Sequence, residues 1–170
     1  MKEIEVKILD IDKDKIIKKI EEAGAKKIFE GDTISHFFYM PEEETLRLRQ
    51  EGNKTFLTYK KKEPHKTLKI MEELEVDISD IEEMKKILEK LGFKMRQSFT
   101  KHRISYKLNK ARYEIDTWPE IPTYLEVEAP TEKDIKDALE IIGLDIKNSV
   151  PWSANEVYKK YGKDIWKNQN

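Results

Sequence analysis

Apolar and charged residues alternate in several short stretches of the chain. Glu3, Glu5 and Lys7 interleave with Ile4, Val6 and Ile8, Arg47 and Arg49 with Leu46 and Leu48, and Glu73, Glu75 and Asp77 with Leu74, Val76 and Ile78. Period-two alternation is the pattern of a strand, in which successive side chains point to opposite faces and same-face neighbours stand about 7 Å apart. Strand-like stretches follow at 33–40, 45–50, 54–62, 67–77, 95–108, 111–118 and 123–129, separated by turn candidates such as Glu51-Gly52-Asn53 and Leu108-Asn109-Lys110. With the opening strand, the chain carries about eight, a number that can close into a small barrel.

Three stretches switch to helical spacing. Ile16, Ile17 and Ile20 form one apolar stripe; Met84, Ile87, Leu88 and Leu91 a second; Ile135, Ala138, Leu139 and Ile142 a third. Each follows a strand with glutamates at alternate positions and ends near a glycine, at 24, 92 and 143, as a helix C-terminus favours. Asp12, Ser79 and Thr131 stand at the expected N-caps. A further helix is expected over Ser153 to Lys163, with Val157, Tyr158 and Tyr161 as its apolar patch. Residues 1–170 read as one domain, since nothing resembles a linker.

The amphipathic helices decide which way the strands face. A charged strand face ordinarily meets water. Three apolar stripes nevertheless need surface to cover, and the strands' apolar faces supply it. The charged faces then turn toward one another, inside the barrel. There Lys101 and Arg103 share a face, as do Glu114 and Asp116, and Glu126 and Glu128. Desolvated ions must be paired or bound to something. A polyanion with a divalent cation satisfies both signs: guanidinium and ammonium groups on phosphate oxygens, carboxylates on Mg²⁺ or Mn²⁺.

Composition supports a site of mixed sign. Charged residues are 39% of the chain, yet 33 Lys and Arg against 34 Asp and Glu leave a net charge of only -1. A nucleic-acid or anionic-membrane binder normally carries a basic excess. Neither partner is expected. Cysteine is absent, as is any apolar run of the roughly 20 residues a membrane helix needs, so a cytoplasmic protein is expected. His36, His65 and His102 are isolated, which argues against zinc, although His36 is a candidate for the barrel lining. Phe37, Phe38 and Tyr39 offer stacking surface, though aromatic residues in a strand more often pack. No P-loop, dinucleotide-binding glycine motif or serine-nucleophile elbow is present.

These motifs together resemble the CYTH superfamily, the triphosphate tunnel metalloenzymes, which includes class IV adenylyl cyclases and thiamine and inorganic triphosphatases. Glu3-Ile4-Glu5-Val6-Lys7 is similar to the family's opening E-x-E-x-K. The likeness continues in order through Leu46-Arg47-Leu48-Arg49, Leu57-Thr58-Tyr59-Lys60, Glu73-Leu74-Glu75, Lys101-His102-Arg103, Glu114-Ile115-Asp116 and Leu125-Glu126-Val127-Glu128. It implies an α+β fold: a closed or nearly closed eight-stranded antiparallel tunnel with amphipathic helices outside, in a single CYTH-like domain over 1–170. It places Lys7, Arg47, Arg49, Lys60, Lys101 and Arg103 on the triphosphate and Glu3, Glu5, Glu126 and Glu128 around Mg²⁺ or Mn²⁺. Glu73, Glu75 and Asp116 are the further acidic candidates for catalysis.

Two departures stand out. Met71 replaces a basic residue common two positions before Glu73, with Lys69 one step earlier, and Trp118-Pro119-Glu120-Ile121-Pro122 replaces a Leu-Gly turn common among cyclases. The expected activity is adenylyl cyclase-like, ATP to cyclic AMP and pyrophosphate. The alternatives are hydrolysis of thiamine triphosphate or tripolyphosphate, and polyphosphate or nucleotide binding without turnover. The expected partner is the small-molecule triphosphate, and the expected assembly a homodimer.

Overall fold

The computed structural model describes residues 2–65 and 68–167, with side chains from Ile4 onward. Among them run β1 (Lys2–Ile8), α1 (Lys13–Glu22), β2 (Lys26–Phe38), β3 (Glu44–Glu51), β4 (Lys54–Glu63), β5 (Lys69–Asp77), α2 (Ile81–Lys90), β6 (Met95–Leu108), β7 (Ala111–Thr117), β8 (Tyr124–Ala129), α3 (Glu132–Ile141) and α4 (Ala154–Lys160). The strands close into an antiparallel barrel in the order β1-β5-β4-β3-β2-β6-β7-β8. Closure is made by β1, which pairs with β5 on one side, Glu5 opposite Lys69, and with β8 on the other, Lys7 opposite Glu126.

Local chemistry starts each helix. Asp12 accepts the Lys15 amide at 3.1 Å, and Thr131 accepts that of Asp134 at 3.1 Å. The cap of α2 is Asp80, not Ser79: its carboxylate accepts from the amides of Glu82 and Glu83, at 2.9 and 3.0 Å. One carboxylate oxygen thus serves two of the amides that the first helical turn leaves unpaired. Gly24 and Gly143 follow α1 and α3 at φ +84° and +68°, where a side chain would be strained. Ser153 and Glu156 form a capping box at the start of α4.

The strand β2 begins seven residues earlier than the alternation suggests. Residues 26–32 lack an alternating apolar face, and their pairing is dictated by β6, from Lys26 opposite Lys107 to Phe38 opposite Met95. Helices α1 and α3 cover the outside of β1, β7 and β8, burying Ile16, Ile20, Ile135 and Leu139 against Val6, Ile115, Leu125 and Val127. Each such side chain contributes about 1.5–3 kcal/mol of burial. Helix α2 lies over β3, with Leu88 against Leu46 and Leu48. The helices do not cover every apolar strand face, contrary to expectation: Leu74 and Val76 on β5 stay 60% and 57% exposed. Three helices are too few to wrap eight strands. A third cluster, Phe99, Trp118, Tyr124, Val157 and Tyr158, joins α4 to one end of the barrel.

Candidate active site: a charged tunnel

The charged faces do converge inside the barrel. A cavity of about 810 Å³ is lined by Glu5 and Lys7 of β1, Arg47 and Arg49 of β3, Lys60 of β4, Glu73 and Glu75 of β5, Lys101 and Arg103 of β6, and Glu126 and Glu128 of β8. All six basic residues expected on the triphosphate line it. Asp116 is fully buried and is not among the lining side chains. The side chain of Glu3 lies outside the described residues. His36 faces outward, donating or accepting at Ser98 Oγ 2.6 Å away near Lys85 and Glu82 of α2. Strand parity explains it, because Thr33 and Ser35 occupy the inward positions of β2.

Most of these ions are paired. The Lys7 ammonium, 2% exposed, donates to Glu5 at 2.8 Å and also pairs with Glu126. Lys69 reaches the same Glu5 oxygen at 2.7 Å. Arg103 grips Asp116 through Nε at 2.7 Å and Nη2 at 2.8 Å, and also pairs with Glu114; Lys101 adds a further bond to Asp116. Arg49 donates to Glu51 at 2.8 Å and to Glu75 at 3.0 Å, and Lys60 pairs with Glu73 at 2.6 Å. Thr58 supplies a second donor to Glu75, at 2.7 Å.

Arg47 differs from its neighbours. It has no ion pair among the described residues, and its buried Nε has no hydrogen-bond acceptor. Burial lowers its pKa, and the adjacent guanidinium groups of Arg49 and Arg103 lower it further, against partial opposition from Glu73 and Glu75. A guanidinium remains protonated under such pressure. Its charge is therefore only partly offset by Glu73 and Glu75 beside two more guanidinium groups, and is available to an anion.

The acids form a complementary patch. Oxygens of Glu5, Glu126 and Glu128 all lie within 4.8 Å of one another. Burial pushes the Glu5 carboxyl up, but Lys69 and Lys7 outweigh it and hold its pKa at about 2. Glu126 and Asp116 are likewise burdened by burial yet lowered, by Lys7 and by Arg103 with Lys101 respectively. Glu114 moves the other way, raised by burial despite Arg103. Three hard-oxygen donors at this spacing suit Mg²⁺ or Mn²⁺, which binds through a few carboxylates and completes its shell with phosphate or water.

These shifts set the acid stability. A carboxylate whose pKa is lower folded than unfolded stabilises the fold above its unfolded value, near 4.5 for glutamate, and that contribution is lost as pH falls toward the folded value. Glu114 opposes this, but it is one group against three. The melting midpoint is expected to hold from pH 7 to about 5 and to fall steeply between about pH 4.5 and 2, measured by circular dichroism. A midpoint unchanged to about pH 2 would refute these ion pairs.

Several lining residues were not expected. Arg112 and Lys69 share the inward parity of their strands, and the alternation itself could have found them. Lys69 and Met71 both face inward, so the basic residue missing at 71 is supplied one same-face step along β5. Asn155 and Trp166 also line the cavity, and no motif pointed to them.

The CYTH domain family model matches residues 1–153. A Methanocaldococcus jannaschii protein named "Putative adenylate cyclase MJ0240" is 33% identical over 154 residues, 84% of this chain and 88% of that protein. The PH1012 protein of Pyrococcus horikoshii has a similar structure, with TM-score 0.78 and 29% identity over 91% of this chain and 98% of that one. A Hippeastrum protein, named "Putative adenylyl cyclase HpAC1" and described as having a dominant triphosphatase activity, shares the fold at TM-score 0.63 and 13% identity, over 99% of each chain. No helix among the described residues is long and apolar enough to cross a membrane. With a family match over most of its length and a closed eight-stranded tunnel, the chain belongs to the CYTH domain family.

Proposed function

We propose that this protein is a metal-dependent cytoplasmic enzyme acting on a triphosphate held in the tunnel, and that it is adenylyl cyclase-like, converting ATP to cyclic AMP and pyrophosphate. The observation that carries the reading is one cavity in which Arg47, a guanidinium without an ion pair among the described residues and repelled by Arg49 and Arg103, is joined by a cluster of three carboxylates. A basic group with no acid to pair with calls for an external anion. The carboxylate cluster in the same cavity calls for a cation.

In this reading Arg47, Arg49, Lys60, Lys101, Arg103 and Lys7 bind and orient the phosphate chain, and Glu5, Glu126 and Glu128, with Glu3, hold the metal. Bound Mg²⁺ or Mn²⁺ would polarise the phosphoryl oxygens and offset charge on the leaving group. The guanidinium and ammonium groups, fixed in place by their carboxylate partners, stabilise charge that develops on departing pyrophosphate without having to reorganise. In this reading Glu75, whose side chain is 28% exposed and whose Arg49 and Thr58 bonds both fall on Oε2, accepts a proton from the nucleophile through its other oxygen. Glu73 orients Lys60. We assign Asp116 to positioning, because its two oxygens are committed to Arg103 and Lys101.

The name of the Methanocaldococcus relative supports cyclisation. The triphosphatase activity ascribed to the Hippeastrum protein supports hydrolysis as the second reading. They differ in the nucleophile, the ribose 3'-hydroxyl or water. Product analysis with ATP, thiamine triphosphate and tripolyphosphate, each with Mg²⁺ and Mn²⁺, separates them. Cyclic AMP with stoichiometric pyrophosphate is expected from ATP; phosphate release without cyclic AMP would establish hydrolysis. Binding without turnover of any of the three would overturn the enzyme reading.

Ligand binding must also stabilise the fold. At about a hundredfold excess over the dissociation constant, tripolyphosphate with Mg²⁺ is expected to add roughly 2.7 kcal/mol, a rise of about 5–10 °C in midpoint for a chain of this size. Monophosphate cannot span residues on several strands and should add far less. Equal shifts with monophosphate, pyrophosphate and tripolyphosphate at matched ionic strength would refute the phosphate-chain assignment.

A further inference from the structure

Two ammonium groups share one oxygen of the carboxylate cluster. Glu5 Oε1 accepts from Lys7 at 2.8 Å and from Lys69 at 2.7 Å. The two lysines are held differently. Lys7 is pinned between Glu5 and Glu126, buried, with its ammonium over the Tyr124 ring. Lys69 stands directly opposite Glu5 on β5, lines the cavity, and among the described residues has its ion pair with Glu5 alone. Burial pushes the Glu5 carboxyl up, and Lys69 contributes most among the ammonium groups that outweigh it.

Glu5 is also one of the three acids whose oxygens lie within 4.8 Å of one another. A divalent cation held by that cluster shares the Glu5 carboxylate with Lys69, and a double charge so near an ammonium repels it strongly even at an effective dielectric of about 20. One of the two lysines must yield. Lys69 has the fewer ties, and its flexible four-carbon stem lets the ammonium leave Glu5 while staying in the cavity.

Its next partner must be an anion. Lys60 and Lys62 line the same cavity and repel it, and the nearby Glu73 already pairs with Lys60. Phosphate oxygens would take the released ammonium in a charge-assisted hydrogen bond. Met71, the next inward residue of β5, is uncharged, so Lys69 is the basic group that this face of the strand can supply. We propose that Lys69 exchanges partners: it neutralises Glu5 until the divalent cation takes that carboxylate, and its ammonium then moves to the phosphate chain, so that cation and triphosphate bind cooperatively. Linkage makes the effect mutual, each ligand tightening the other by the same factor. The proposal rests on the triphosphate reading of the tunnel and adds a coupling between its two ligands.

The test compares wild type with Lys69→Met, which keeps a long apolar stem and removes the charge, after a check for a native circular dichroism spectrum. Mn²⁺ alone, followed by electron paramagnetic resonance, is expected to bind the variant about three- to tenfold more tightly, because its competitor at Glu5 is gone. A residue that merely supports the fold would not tighten a metal. Tripolyphosphate is then titrated calorimetrically, once with chelator and once with saturating Mg²⁺. The factor by which Mg²⁺ tightens tripolyphosphate should be about fivefold or more smaller in the variant; complexation of Mg²⁺ by tripolyphosphate in solution is common to both proteins and cancels. Unchanged or weaker Mn²⁺ binding would overturn the exchange, as would an equal loss of tripolyphosphate affinity with and without Mg²⁺, or no loss in either. All three outcomes leave the triphosphate reading in place. A wild type that binds neither Mn²⁺ nor tripolyphosphate sinks that reading and the exchange with it. If binding with chelator is too weak to measure, the Mn²⁺ result decides, and Lys69→Gln, which keeps a donor for Glu5 without the charge, carries the same expectations should Lys69→Met not fold.

Discussion

Replacing Arg47 with alanine is expected to lower kcat/KM for the triphosphate by about 10²–10³-fold, the usual cost of removing one preorganised charged donor from a phosphoryl-transfer site. The empty protein should be no less stable for the change, because the lost group is a desolvated cation lacking an ion pair among the described residues and repelled by Arg49 and Arg103. Arg103→Ala should do the opposite to the fold. It takes from the buried carboxylates of Asp116 and Glu114 the guanidinium they share, leaving Asp116 only Lys101 and Glu114 only the more distant Arg112, and breaking such a pair costs about 3–5 kcal/mol, or roughly 6–20 °C in midpoint. Thermal unfolding and steady-state kinetics on the two variants separate a residue held ready for ligand from one that also holds the barrel together. Similar melting losses in both would mean that Arg47 has a structural partner after all.

Removing one charge from the carboxylate cluster should have a comparably large effect. Glu128→Gln and Glu5→Gln keep side-chain shape and take away an anionic oxygen from a group whose members lie within 4.8 Å. Affinity for Mn²⁺, measured by electron paramagnetic resonance, is expected to drop about tenfold or more, and metal-dependent turnover by about 10²-fold or more. Glu5→Gln should also cost some stability, because Lys7 and Lys69 both lean on that carboxylate. Wild-type metal affinity and turnover in both variants would remove these acids from the cation site.

The charged lining was legible in the sequence because a strand allows a side chain only two directions. Once Ile4, Val6 and Ile8 turn toward the helices, Glu5 and Lys7 must turn the other way, and the same holds for Arg47 and Arg49 against Leu46 and Leu48. Parity was a weaker guide where both faces are buried. On β7, Tyr113 and Ile115 pack outward while Glu114 and Asp116 are buried inside, so burial itself does not separate the two faces there. It also could not tell a lining acid from a clamping one. Asp116 and Glu126 share an inward face, yet the first is spent on Arg103 and Lys101 and the second borders the cavity.

What the sequence by itself determined, then, is the set of strands and helices and the inward face of most strands, because periodicity and side-chain direction are local properties of the backbone. The helix caps came nearly as far, Ser79 giving way to its neighbour Asp80 because either side chain can cap and only the final geometry selects one. Tertiary structure decided what depends on distance between strands far apart in the chain. It extended β2 along β6, left Leu74 and Val76 of β5 uncovered, brought Glu5, Glu126 and Glu128 together, and paired Lys7, Arg49, Lys60, Lys101 and Arg103 with acids while leaving Arg47 without an ion pair among the described residues. It also folded the C-terminal segment back over the barrel end, placing Asn155 and Trp166 in a cavity whose other walls come mostly from strands far earlier in the chain. No local pattern encodes that placement, since it follows from closure of the barrel and from burial of Val157 and Tyr158 against Trp118 and Phe99.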